Sequence, residues 1–105
     1  MHGQIEDPWE QPMATKFTLE QISDALRILP GWADDGDAIT RTFKFADHIA
    51  AFSFVTRVAM AAEVQDHHPD LRIVYNTVDI RLNSHDAGGV TARDIKLATT
   101  IDSLA

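Results

Sequence analysis

The chain has 105 residues, a length that suits one domain with a single core and no staples. Nine Lys and Arg stand against sixteen Asp and Glu, a net charge of −7, and Arg72, Arg81 and Arg93 are spread out, so direct contact with nucleic acid is not expected. There is no cysteine, which excludes disulfides, thiolate metal sites and a cysteine nucleophile and leaves any chemistry to histidines and carboxylates.

In chain order, residues 1–16 hold Pro8, Pro12 and several charges without an apolar period, and read as a flexible N-terminal extension to a domain over residues 17–105. Thr18 and Gln21 have capping-box spacing, and Leu19, Ile22, Leu26 and Leu29 recur at helical intervals until Pro30-Gly31. Trp32 reads as core or pocket wall. Asp34-Asp35-Gly36-Asp37 is a turn cluster, after which Ile39, Phe43 and Phe45 alternate with polar residues, the pattern of a hairpin with one buried face. Arg41 interrupts that face, so its stem is expected to cover the core while its head reaches water.

Asp47 can cap a long central helix that runs to about His67, with Ile49, Phe52, Val55, Ala59 and Ala62 as its buried stripe. The longest apolar stretch, Ile49 to Ala62, is broken by Ser53, Thr56 and Arg57, and the N-terminus lacks a basic region followed by an apolar run. We therefore expect a soluble, cytoplasmic protein with no membrane contact. Pro69 turns the chain, and Leu71, Ile73 and Tyr75, then Val78, Ile80 and Leu82, alternate as two strands, with Tyr75 read as a core aromatic. A polar loop from Ser84 to Gly89 leads to a last helix begun by Thr91 and carrying Ile95, Ala98, Ile101 and Leu104. The order αββαββα predicts an α+β two-layer sandwich: a four-stranded antiparallel sheet with three helices on one face. Thr40, Thr42, Arg72, Asp79 and Arg81 would line the other.

Histidines gather in the second half. Glu63 and His67 are four apart and should share a helix face, and both that carboxylate and the carbonyl end of the helix favour a charged imidazole able to give up a proton. His68 is redirected by Pro69, and His85 ends a strand, from which it can reach the same end of the molecule. Asp94 has a structural reason of its own, because Thr91-x-x-Asp94 is a capping-box pattern. His48 lies outside this cluster and reads as a surface residue. A zinc site from Glu63, His67, His68 and His85 is the main chemical rival, but adjacent histidines rarely converge on one ion, so no metal site is expected.

The spacing Glu63-x3-His67-His68-Pro69-x5-Tyr75-x9-His85-x8-Asp94 resembles the signature of the pterin-4a-carbinolamine dehydratase family. The resemblance extends from Leu29-Pro30-Gly31-Trp32 through Phe43-x-Phe45, Thr56-Arg57-Val58-Ala59 and Gly88-Gly89 to Ile95. Ser84 stands where threonine often precedes the last histidine, and both supply a hydroxyl. The resemblance implies a hydro-lyase that dehydrates 4a-hydroxytetrahydropterin to quinonoid dihydropterin in tetrahydrobiopterin recycling, with neither metal nor organic cofactor. It implies Glu63, His67, His68, His85 and Asp94 as catalytic residues, and Asp66, His67, His68, Asn83, Ser84 and His85 as pterin-binding ones. On this reading His67 and His85 transfer protons, with Glu63 orienting His67 and Asp94 orienting His85. It also implies a homo-dimer or homo-tetramer. Some members stabilise the dimer of a homeodomain transcription factor, which makes a protein-binding role the alternative.

Overall fold

In the computed structural model, which describes residues 15–105, each helix starts where its capping residue stands. Helix α1 (Leu19–Leu26) is closed by a capping box in which Gln21 N donates to Thr18 Oγ1 at 3.1 Å and Thr18 N donates to Gln21 Oε1 at 2.8 Å. Strands β1 (Ala33–Asp34) and β2 (Ile39–Lys44) flank a turn in which Gly36 takes φ +75°, a conformation that costs glycine little. Ala50 N donates to Asp47 Oδ1 at 2.8 Å to start helix α2 (His48–Gln65). Strands β3 (Asp70–Val74) and β4 (Thr77–Leu82) and helix α3 (Ala92–Leu104) complete the chain.

The sheet is antiparallel throughout, in the order β1-β2-β4-β3, so β4 is central and sets Val78 beside both Phe43 and Ile73. Val78, Ile80 and Leu82 point to the helices and join Phe54, Leu97 and Ile101 in the core. The expected α+β sandwich is the one observed. On the far face Thr42 Oγ1 donates to Asp79 at 2.7 Å, Arg72 lies 3.6 Å from the same carboxylate, and Arg81 donates to Asp37 at 2.9 Å. No helix among the described residues is long and apolar enough to cross a membrane. The extension expected over residues 1–16 falls outside the described residues except for Thr15 and Lys16, and the adjoining Phe17 N donates to Val90 O at 2.7 Å.

Four expectations are corrected. On α2 the buried residues are Ala51, Phe54, Val58 and Ala62, while Ile49 and Phe52 face out with Met60 and Val64. This helix is apolar nearly all round, so its sequence pattern admits more than one phase and the sheet selects one. Leu19 is exposed too, leaving Ile22 as the buried residue of α1. Tyr75 is a turn residue with φ +52° and an exposed ring, and it follows β3 rather than ending it. The head of Arg41 does not stop in water: Nη1 donates to Asp102 Oδ1 at 2.9 Å, with the guanidinium 4.3 Å over the Phe43 ring. The buried Trp32 donates its Nε1–H to the same Asp102 oxygen at 2.9 Å, so one carboxylate fastens the end of α3 to β2 and to the loop before β1.

Candidate functional site

Helix α2 does not run on to His67. It ends at Gln65, and Asp66 takes the left-handed conformation, φ 51° and ψ 43°. Asp66 N donates to Glu63 O at 3.2 Å and His67 N to Ala62 O at 3.0 Å, the bond pattern of a Schellman ending. An aspartate tolerates this conformation better than most residues. The reversal takes His67 off the helical face that carries Glu63.

His67 is thereby buried, and its Nε2 lies 2.5 Å from Asp94 Oδ1. His68 turns outward, and its Nε2 lies 2.9 Å from Glu63 Oε1 in a pair whose side chains are 61% and 80% exposed. The expected partnerships are therefore exchanged: Asp94 serves His67 rather than His85, and Glu63 serves His68 rather than His67.

Asp94 is fully buried in the first turn of α3, where Thr91 N donates to its Oδ2 at 2.9 Å as one half of a capping box. Ser84 Oγ donates to the same oxygen at 3.0 Å and lies 2.8 Å from Thr91 Oγ1. Ser84, expected among the pterin-binding residues, is 1% exposed, and its hydroxyl faces the interior. Thr91 reads from the sequence as a cap alone, and no local signal gives its link to Ser84 across the loop.

His85 opens a short 3-10 turn (His85–Ala87) closed by Gly88 at φ +77°, and Ser84 and Gly89 bridge the base of this loop. Its ring is exposed and, like the side chains of Asp66 and Asn83, makes no hydrogen bond to the described residues. Beside it Arg93 Nη2 donates to Asp86 Oδ1 at 2.6 Å, and this bond holds the Asp86 carboxyl below the usual aspartate value. The Nε of Arg93 is buried without a hydrogen-bond partner among the described residues. His48 lies apart and donates Nδ1–H to Tyr75 O at 2.8 Å. Among the described residues no group of three His, Cys, Asp or Glu side chains is arranged to hold a metal ion.

The structure thus joins the end of α2, the end of β4 and the start of α3 through one buried polar network, with His67 at its head and His85 next to Ser84 in the chain. A family model for pterin 4 alpha carbinolamine dehydratase matches residues 15–104, which spans every element of the fold. The chain belongs to this family. Among proteins similar to it, one from Bradyrhizobium sp. strain BTAi1, provisionally named pterin-4-alpha-carbinolamine dehydratase, is 53% identical over 95 residues, covering 89% of this chain and 96% of the relative. A provisionally so named protein of Koribacter versatilis is 47% identical over 92 residues, covering 88% and 98%. The crystal structure of a transcriptional coactivator/pterin dehydratase from Brucella melitensis superposes with a TM-score of 0.83 at 43% identity, covering 87% of this chain and 99% of that one. A pterin dehydratase-like RuBisCO assembly factor of the alpha-carboxysome, at 22% identity and a TM-score of 0.62, shares the fold alone. Membership of the dehydratase family gives the buried His67–Asp94 pair a chemical context.

Proposed function

We propose that this protein dehydrates a 4a-hydroxytetrahydropterin to the quinonoid dihydropterin by acid-base chemistry on histidines, with neither metal nor organic cofactor, as a step in tetrahydropterin recycling. The observation that carries the proposal is the His67–Asp94 pair, a buried imidazole with a positioned carboxylate, in a chain of this family. In the reaction the C4a–O bond breaks, N5 loses its proton, a C4a=N5 double bond forms and water departs. One group must protonate the leaving hydroxyl and another must accept the N5 proton. Histidine suits both roles near neutral pH, and a positioned acid or base contributes about 10² to 10⁴ in rate.

In this proposal His67 and His85 exchange protons with the substrate, Asp94 orients His67, and the exposed Glu63–His68 pair borders the pterin together with Asp66 and Asn83. The test is the rate of quinonoid dihydropterin formation from 4a-hydroxytetrahydropterin generated in situ. Wild-type protein is expected to accelerate it and His67→Ala or His85→Ala to lose most of that acceleration. A wild-type rate equal to background refutes the proposal.

A second observation favours association between copies. The outward face of α2 carries Ile49, Phe52, Met60 and Val64, more apolar surface than one helix usually leaves in water. Phe52 and Met60 are equidistant from Thr56, as are the small residues Ser53 and Ala59, so an antiparallel pairing of two α2 helices about Thr56 is self-complementary. We propose a homo-oligomer built on this face, to be tested by light scattering of wild type and Met60→Lys. A wild-type monomer excludes self-pairing and turns attention to the protein-binding alternative, in which the same face receives a different protein.

A further inference from the structure

We propose that Ser84 and Thr91 are positioning residues, forming a one-way hydrogen-bond chain that fills the acceptors of Asp94 and so holds His67 in its Nε2–H form with Nδ1 presented to the substrate. The geometry stands alone; only the chemistry rests on the dehydratase reading.

The direction of the chain follows from counting protons. The Thr91 hydroxyl oxygen accepts from the backbone N–H of Arg93 at 3.2 Å and, through the capping box, from that of Asp94. With its lone pairs occupied, its proton is the one free to lie along the 2.8 Å contact to Ser84 Oγ. Ser84 therefore accepts from Thr91, and its own proton goes to Asp94 Oδ2 at 3.0 Å. Thr91 N, which can only donate, reaches the same oxygen at 2.9 Å. Asp94 receives two donors on Oδ2 and faces His67 Nε2 with Oδ1 at 2.5 Å. Two donors on Oδ2 favour the ionised carboxylate, whose Oδ1 can only accept, so the nitrogen facing Oδ1 then carries hydrogen. The chain starts at backbone amides of α3, which cannot reverse, and its polarity is passed on to an imidazole on another segment.

The consequence for His67 is a choice of tautomer. With Nε2 committed to Asp94, Nδ1 is the nitrogen left to give or take a proton. Without the Ser84 hydroxyl, the fully buried Asp94 loses one of its three donors. With that bond gone the carboxylate is fixed less firmly toward His67 and can turn away from Nε2. A neutral His67 no longer held by Oδ1 can exchange its ring hydrogen through solvent from Nε2 to Nδ1, which blocks the reacting nitrogen.

The test uses the full chain with ¹⁵N-labelled histidine, reading the His67 tautomer by long-range ¹H–¹⁵N correlation above its titration range. Wild type is expected to show Nε2–H alone, Ser84→Ala and Thr91→Val to show a measurable Nδ1–H population, and Ser84→Thr, which keeps the hydroxyl, to return to the wild-type pattern. If Ser84→Ala does not fold, Ser84→Cys takes its place, with a weaker donor in a similar volume. An unchanged tautomer in the variant lacking the hydroxyl overturns the proposal, and this readout does not depend on which reaction the protein performs. With the pterin assay, the same variants are expected to lower kcat by about tenfold to a hundredfold, as partners of a reacting histidine do. KM is expected to hold to within about twofold, because a side chain this buried does not touch the substrate. A raised KM with unchanged kcat would make Ser84 a binding residue and refute the positioning role.

Discussion

Replacing Asp102 by alanine tests whether the carboxylate that joins Trp32 and Arg41 holds the C-terminal end of α3 in place. Its Oδ1 accepts from Trp32 Nε1 and Arg41 Nη1, both at 2.9 Å. Trp32 is only 4% exposed, so its N–H would be left buried without an acceptor, at about 1 to 3 kcal/mol. The Arg41–Asp102 pair is about 30% exposed on both sides, and its loss adds about 0.2 to 1 kcal/mol after solvent screening. The expected total, about 1 to 4 kcal/mol, is a sizeable share of the roughly 5 to 15 kcal/mol typical of a domain. It corresponds to a melting temperature lower by roughly 5 to 30 °C for a chain of this size. Urea unfolding followed by far-ultraviolet circular dichroism measures it. Trp32→Phe, which removes the N–H but keeps the ring in the core, closes a double-mutant cycle. A coupling of about 1 kcal/mol is expected. Strict additivity, or an Asp102→Ala effect below about 0.5 kcal/mol, refutes the reasoning.

The two carboxylate–histidine pairs should respond oppositely to neutralisation. Glu63→Gln, on the exposed pair, is expected to change stability by less than about 0.5 kcal/mol, whereas Asp94→Leu strands three donors and should cost about 3 to 5 kcal/mol by urea titration. Arg93→Met is expected to return the depressed Asp86 titration toward 3.8, as read by carboxyl ¹³C shifts. Since the folded value lies below the unfolded one, this pair favours folding above the ordinary aspartate range. The benefit fades as pH falls through the folded value, and the variant should lose that acid-side dependence. A Cβ at Gly31 would lie 2.5 Å from the Arg41 guanidinium carbon, so Gly31→Ala should displace that head and weaken its bond to Asp102. Repeating the Asp102→Ala comparison in the Gly31→Ala background should show a smaller effect than in wild type.

Local signals in the sequence were reliable where short-range geometry decides. Both capping boxes, the Asp47 cap and the alternation of Val78, Ile80 and Leu82 appear as read. The phase of α2 was not legible, because Ile49 and Phe52 are as apolar as Ala51 and Phe54 and only the packed sheet distinguishes them. Tyr75 was misplaced because a positive φ at a tyrosine has no sequence signal. The exchanged carboxylate partners share one cause. The rule that residues four apart face each other holds within a helix, and the left-handed Asp66 ends the helix before His67. That two histidines of this stretch would meet carboxylates was therefore readable, while which meets which depended on one backbone reversal.

The Asp94 carboxylate closes the capping box of α3 and also anchors His67. Fraying the first turn of that helix therefore releases the imidazole in the same event. In any molecule that loses this turn the histidine is unheld. Amide hydrogen exchange at Asp94 therefore reports the loss of that turn and of the imidazole's anchor together, through a single backbone N–H.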